Sequence, residues 1–200
     1  MAAIALPTLA YEHPLSSPSI RAAYLLGNRN DSVTSEFLTH YSHSLPMPKT
    51  GPHGAVISVD TPYRQVVELG QNALNPNVQD AEKEFASKEF SFVVRVGVDL
   101  TDSDPGPPPE NPTGPSAPMP DFQRDFTIRL IQAKKEIPAS STEVSLLYSD
   151  AVANLDQISG AIIALRLNIG KIDSYDDVTV KVHTPDDQDV ETTFDLGHLH

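Results

Sequence analysis

Apolar and polar residues alternate with a period of two in six stretches between Phe90 and Leu196. In the clearest stretch, from Phe90 to Leu100, every second residue is apolar, and Val93 is the one apolar residue on the other side. Only a pleated strand directs alternate side chains to opposite faces. The pattern therefore predicts strands that bury one face and leave the other face in water.

The other five stretches complete a predicted antiparallel sandwich. They lie at residues 126–130, 144–148, 163–169, 178–183 and 193–196. Turn-forming residues fill the segment 184–189, so we expect the last two strands to form a hairpin. We predict a mainly β protein in which residues 90–200 form an antiparallel, immunoglobulin-like β-sandwich.

Residues 14–89 show helical spacing instead and predict a helical region packed on the sandwich. The first helix begins at Ser17 and is expected to stop at Gly27, because glycine is a frequent C-terminal residue. A second helix is capped by Asp31 or Ser32 and is expected to continue until Pro46. Further elements are predicted at three places: a short strand at residues 55–60, a helix that opens at Thr61 and Pro62, and a short helix that opens at Asn77 or Asp80.

Two segments show no such pattern. Residues 102–120 hold eight of the 18 prolines, and we interpret them as a long excursion inside one domain, of polyproline II or irregular conformation. Residues 1–13 form an apolar arm or the remnant of a signal peptide. The candidate residues for contact with a protein partner are Ile4, Leu6 and Leu9 of this arm.

The composition narrows the classes of partner. The chain carries 14 Lys and Arg against 27 Asp and Glu, which gives a net charge of −13 at pH 7. Such a balance repels phosphate backbones, so nucleic acid is not an expected partner. No stretch reaches the roughly 18 apolar residues of a membrane span. The absence of cysteine rules out a disulfide framework and a thiolate metal site.

The sequence contains no motif for covalent or cofactor chemistry. It has neither a Gly-x-Ser-x-Gly elbow nor a glycine-rich phosphate loop, so we predict no catalytic residue, no cofactor and no enzyme activity. An alternative starts from His40 and His43, which would share a face of the predicted second helix. A third metal ligand would come from His53 or Glu36. A metal-dependent enzyme with a site assembled in space is therefore a competing hypothesis.

Clustered aspartates indicate a further alternative. The candidate calcium ligands are Asp99, Asp102 and Asp104 beside the proline-rich excursion and Asp186, Asp187 and Asp189 in the last turn. Loops at one end of a sandwich can converge, so these clusters favour a calcium-dependent or other ligand-binding module. Aspartate is also an ordinary turn residue, and the spacing does not match an EF-hand.

Several segments carry a resemblance to known sequences. They are RAAYLLGNR at 21–29, PKTGP at 48–52, TPYRQVVE at 61–68, VKVHTPD at 180–186 and TFDL at 193–196. Together they resemble a group of uncharacterised exported bacterial proteins of environmental, acidobacterial-type origin. The resemblance implies a periplasmic or extracellular location, with the cytoplasm as the alternative. Because the group has no known activity, it implies no site residue.

These observations lead to one main functional expectation. We expect a non-enzymatic cell-envelope or extracellular protein that acts through protein–protein contacts at its sandwich edges and loops. Docking of the arm on a neighbouring copy would make the protein assemble with itself, head to tail.

Overall fold

The computed structural model describes residues 12–45, 53–73, 77–86, 88–100, 122–148, 158–185 and 187–199. The helices are α1 (Ser17–Arg29), α2 (Ser32–Thr39), α3 (Pro62–Gln71) and α4 (Val78–Ala86). The strands are β1 (Ser42–Ser44), β2 (His53–Asp60), β3 (Phe92–Asp99), β4 (Thr127–Gln132), β5 (Lys135–Ile137), β6 (Ala139–Tyr148), β7 (Ile158–Leu167), β8 (Val178–His183) and β9 (Asp189–Phe194). They form two antiparallel sheets, so the predicted mainly β architecture is confirmed and is compatible with a β-sandwich.

One hydrophobic core joins the two sheets. Val96 of β3, Leu130 of β4 and Val180 of β8 belong to the same buried cluster. This inward alternation is the one that the sequence pattern predicts. β3 departs from the expected wet outer face, because Val93 is buried as well. Helix α3 lies close to this outer face of β3, where the side chain of Gln65 donates a hydrogen bond to the Ser91 carbonyl at 2.6 Å.

The five-stranded sheet has the order β1-β2-β3-β7-β6. Val96 of β3 lies opposite Ile57 of β2 on one side and opposite Ile163 of β7 on the other. Two of the strands, β1 and β2, therefore come from residues 14–89, where the pattern predicts helices and one short strand. β1 and β6 are the edges of this sheet.

The four-stranded sheet has the order β5-β4-β8-β9. β8 and β9 form the predicted hairpin, with Val178 opposite Phe194 and His183 opposite Asp189. The backbone N–H of Thr184 donates to the Gln188 carbonyl at 2.9 Å and closes the turn. β9 starts four residues earlier than the pattern predicts, because pairing with β8 continues up to the turn.

Helix α1 begins as predicted and ends later. The Ser16 hydroxyl accepts the backbone N–H of Ser19 at its start, and the predicted side of the helix is buried. The predicted stop at Gly27 is wrong, because the helix continues to Arg29 and the left-handed residue is Asn30, with φ 46°. Gly27 instead lies where α1 crosses α3. A Cβ at this position would stand 1.9 Å from the Val67 carbonyl oxygen, so the crossing requires glycine.

Helix α2 is shorter than predicted. The Asp31 carboxylate accepts the Val33 N–H at 3.1 Å, as expected of a cap, but the helix ends at Thr39 and the chain enters β1. Pairing of β1 with β2 takes the residues that helical spacing assigned to α2. The expectation that His40 and His43 share a helical face is therefore wrong.

The four helices have a second hydrophobic core of their own. It contains Ile20 and Tyr24 of α1, Val67 of α3, Phe85 of α4 and Phe90 just before β3. No helix in the described residues is long and apolar enough to cross a membrane. The arm residues Ile4, Leu6 and Leu9 and the excursion 102–120 lie outside the described residues.

Candidate functional site

The edge strands of the two sheets differ in length and charge. β1 and β5 have three residues each, and β9 has six, of which Asp189 and Glu191 are charged. β6 has ten residues, and Glu143 is the only charged one. Short length and charged side chains are the usual devices that keep an edge strand from pairing with another chain. Because β6 is long and carries a single charge, it is the described edge strand that is least protected against pairing with an added strand.

β6 is also exposed along almost its whole length. Leu146 is its one partly covered residue. Val144, Leu147 and Tyr148 expose 41%, 36% and 53% of their surface. These are three of the seven large apolar side chains that are exposed in the described part of the chain. Exposed apolar side chains concentrated on one strand mark an interaction surface, whereas scattered ones do not.

A groove with an apolar floor lies beside β6, between the two sheets, and we call it the mouth groove. Its apolar lining is Phe126 just before β4, Ile128 of β4, and Val144, Ile163 and Leu165 from the five-stranded sheet. Arg124, Thr127 and Thr142 complete the lining, around a volume of about 500 Å³. Phe126, Ile163 and Leu165 are buried, whereas Val144 is partly exposed at the rim. The groove is therefore a gap in the sandwich where the core reaches the surface.

Backbone edges flank the mouth groove on both sheets. β5 pairs with β4 only from Leu130 to Gln132. Thr127, Ile128 and Arg129 pair with β8 alone among the described strands. β6 pairs with β7 alone among the same strands. A strand added to β6 would therefore extend the five-stranded sheet and place every second side chain over the groove.

The other face of the five-stranded sheet carries a cluster of charges around Asp60. This residue ends β2 and has 0% of its surface exposed. Its carboxylate lies 3.1 Å from Nη1 of Arg64 and in contact with Nη1 of Arg95. Nε of Arg64 also donates to Glu68 at 3.0 Å. The cluster thus joins α3 to β2 and β3.

The Asp60 cluster is a structural joint. Burial raises the pKa of Asp60 to about 6, although the charges of Arg64 and Arg95 offset part of this effect. Perturbed carboxylates are common in catalytic sites, but a side chain with no exposed surface cannot meet a substrate. Arg64 is held in addition by the carbonyls of Tyr41 and Val59. We therefore assign the cluster to fastening α3 on the sheet.

The charges extend along this face as far as β6. Arg166 of β7 donates from Nε and Nη2 to the two carboxylate oxygens of Glu143, at 2.9 Å and 3.2 Å. These hydrogen bonds lower the pKa of Glu143. Since side chains alternate along a strand, Glu143 points away from the face on which Val144 lines the mouth groove. The single charge of β6 is therefore paired and directed away from the groove.

The predicted metal ligands do not assemble in the described residues. His40 caps the C-terminal end of α2 and is exposed. His43 lies in β1, with its ring 4.9 Å from that of Phe194. His53 is buried at the start of β2, and Glu36 is exposed on α2. No group of three His, Asp or Glu side chains among the described residues is arranged to hold a metal ion.

Of the six predicted calcium ligands, three lie in the part of the chain that the structure describes. Asp102, Asp104 and Asp186 lie outside the described residues. Asp99 ends β3, opposite His53 and Gly160. Asp187 and Asp189 flank His183, at 3.4 Å from its Nε2 and 3.0 Å from its Nδ1. A calcium site that combines the two clusters stays a prediction.

Comparisons with known proteins add no relative. No family model matches the chain, and no curated protein matches it. The candidate site therefore depends on geometry alone.

The sequence pattern predicted a strand at residues 144–148 but also predicted that its apolar side is buried. The available signal was composition, because Ala139–Tyr148 is rich in serine and threonine and has one charge, which is unusual for an edge strand.

Proposed function

We propose that this protein is a non-enzymatic interaction protein that binds an extended segment of a protein partner along the free edge of β6. The bound segment would form backbone hydrogen bonds with β6, and its alternate side chains would enter the mouth groove. Backbone pairing supplies affinity in this mode of recognition, and the groove supplies selectivity for apolar side chains.

One observation carries the proposal: a ten-residue edge strand with a single, paired charge borders an apolar groove. In the described residues, the other edges are either three residues long or, in β9, charged at Asp189 and Glu191. The contrast supports β6 as the binding edge. Asp60, which has no exposed surface, gives no support to an enzymatic activity.

The proposal includes two further expectations from the sequence, an immunoglobulin-like connectivity and a cell-envelope or extracellular location. An immunoglobulin-like connectivity is supported by the chain crossing between the two sheets at Pro138, from β5 to β6. A cell-envelope or extracellular location is supported by the sequence resemblance. Fractionation of cells that express the native gene tests the location, and recovery in the cytoplasm alone would reject it.

The test of β6 uses peptides of defined pattern and the full chain. A panel of uncharged eleven-residue peptides that alternate valine and threonine is titrated into the protein, and binding is followed by fluorescence anisotropy. We expect binding that Val144→Asp abolishes, because a charge in the groove must then be buried. Ser145→Asp is the matched control, because this exposed position faces the other side of the strand.

Amide hydrogen exchange then locates the peptide. Peptide binding is expected to slow exchange along Ala139–Tyr148 and to leave β9 unchanged, because only β6 gains hydrogen-bond partners. Binding that survives Val144→Asp, or protection along β9 instead of β6, would refute the proposed site. A panel without any binder would refute the proposed function.

A further inference from the structure

We propose that the segment bound at the mouth groove is the N-terminal arm, residues 1–11, of a second copy of this chain. The inference rests on the proposed function, that β6 accepts an added strand. It goes further by naming the occupant, and it makes the protein a head-to-tail assembly in which each copy both donates an arm and accepts one.

The sequence of the arm has the pattern that a strand on β6 requires. Its even positions Ala2, Ile4 and Leu6 fall on one face of an extended strand, whereas Ala3 and Ala5 fall on the other. Ile4 and Leu6 would then enter the groove beside Phe126, Ile163 and Leu165. Ala3 and Ala5 would face outward, on the side that also carries Met1, Leu9 and Tyr11.

Pro7 is compatible with this phase. In an antiparallel pair, the residues that bond to the neighbour alternate with those whose N–H points away. If Ile4 and Leu6 bond to β6, the missing N–H of Pro7 lies on the outer side, where proline is tolerated in an edge strand. Pro7 would then leave the outer edge of the added strand without one backbone hydrogen-bond donor, which disfavours pairing with a further strand.

The residues before Glu12 are numerous enough to follow the edge. β6 has ten residues, which span about 33 Å in an extended strand. Residues 1–11 precede the first described residue, Glu12, and would span a similar distance if they were extended. One arm is therefore long enough to follow the whole edge.

Charge favours the same pairing. Residues 1–11 contain no charged side chain, although the whole chain has a net charge of −13. Among the described residues, those that line the groove include Arg124 and no carboxylate. The arm and the groove are thus a neutral segment and an acid-free surface in an acidic protein, so they meet without the repulsion that opposes other contacts between copies.

The base of the arm lies in the helical part of the molecule. Glu12 accepts hydrogen bonds from Ser16 and Ser19, at 3.2 Å and 2.5 Å, where α1 begins. Helix α1 packs in the helical core, and none of the residues of this core lines the mouth groove. We therefore assign the arm to the groove of a neighbouring copy. Such a contact joins two different surfaces and generates chains or closed rings.

The experiment uses two full-length variants that each lose one half of the contact. Ile4→Asp/Leu6→Asp removes the donor, and Val144→Asp removes the acceptor. By light scattering, the wild type should exceed the mass of one chain, 21.7 kDa, and grow with concentration. Each variant alone should be monomeric, with association weakened by more than about 100-fold.

Mixing the two variants gives the decisive measurement. The mixture retains one intact arm and one intact groove, so it should form a one-to-one dimer and nothing larger. Ala3→Asp/Ala5→Asp is the matched control for the donor and should assemble like the wild type, because these positions face outward. Raising NaCl from about 20 mM to 300 mM should strengthen assembly, since salt screens the repulsion between acidic copies.

Three outcomes would overturn the inference. A monomeric wild type that does not bind a synthetic peptide of residues 1–11 shows that the arm is not the occupant. A monomeric wild type that binds this peptide only after Ile4→Asp/Leu6→Asp shows that the arm occupies the groove of its own chain. Assembly that survives Val144→Asp places the contact elsewhere. In each case binding of the valine–threonine peptides to Ile4→Asp/Leu6→Asp, in which the arm cannot compete for β6, decides separately whether the proposed function stands.

Discussion

β6 and β9 are the two long edge strands in the described part of this molecule, and they differ in how they are protected against pairing with another chain. β9 carries Asp189 and Glu191, and its last residue, Phe194, is a buried part of the core with 2% exposure. β6 is longer, has one paired charge, and leaves Val144 exposed beside the mouth groove. The difference teaches that an edge strand belongs to the fold when it buries side chains, and is available to a partner when it does not.

The largest expected difference between the two edges concerns stability. Phe194→Ala should lower the free energy of unfolding by about 3–5 kcal/mol, because a fully buried aromatic ring leaves a cavity. Val144→Ala on β6 should change it by less than about 1 kcal/mol, because 41% of the surface of Val144 is exposed and little of a cavity is left. Urea unfolding of both variants measures the two values. Equal losses would show that β6 is part of the core and would end the comparison.

The next effect concerns the charges behind β6. The pKa of Asp60 is raised by burial from 3.8 to about 6, so the folded state binds a proton more readily than the unfolded chain does. The stability that this proton provides is complete below about pH 4 and is lost as the pH rises through 6, a loss of about 3 kcal/mol.

Asp60→Asn isolates this contribution, because asparagine has nearly the same shape and does not titrate. The free energy of unfolding, measured in urea at pH 4, 5, 6 and 7, should fall more steeply with pH in the wild type than in the variant. Parallel profiles would mean that Asp60 titrates as it does in water, and the buried joint between α3 and the sheet would be wrong.

A smaller effect tests the hairpin to which β9 belongs. The hydroxyls of Thr179 and Thr193 lie 3.0 Å apart across β8 and β9, on the exposed face. Thr193→Ala should lower the free energy of unfolding by roughly 0.2–1 kcal/mol, the usual range for such a cross-strand pair. Thermal unfolding of this variant and of Thr179→Ala/Thr193→Ala measures the coupling. Additive losses from the two positions would show that the hydroxyls do not interact.

The smallest effect on stability should come from making β6 resemble β9. Thr142→Lys/Val144→Lys adds two charges at exposed positions that line the mouth groove, so the free energy of unfolding should stay within about 0.5 kcal/mol of the wild type. Strand addition should nevertheless weaken, because the side chains of an added strand would bury both charges in the groove. Urea unfolding and the peptide titration measure the two properties. A large loss of stability, or unchanged peptide binding, would contradict the role assigned to this edge.

The sequence by itself determined those parts of this protein in which neighbouring residues decide the outcome. The caps Asp31 and Thr61 start α2 and α3 as predicted, because a cap bonds to backbone groups two or three residues away. The alternation in β3 and the turn chemistry before β9 were equally local signals. Each needs only a few adjacent residues to be recognised, so the mainly β character and the last hairpin followed from the chain alone.

Only the tertiary structure decided the features that depend on distant partners. Pairing of β1 with β2 ended α2 at Thr39 against its helical spacing, and the crossing of α1 with α3 explains Gly27 better than a helix stop does. The same holds for the candidate site. An apolar alternation predicts a strand but not what covers it, and Val144 stays exposed because the sheet opposite does not extend over β6. Burial depends on neighbours brought from elsewhere in the chain, so the open edge became visible only in the folded molecule.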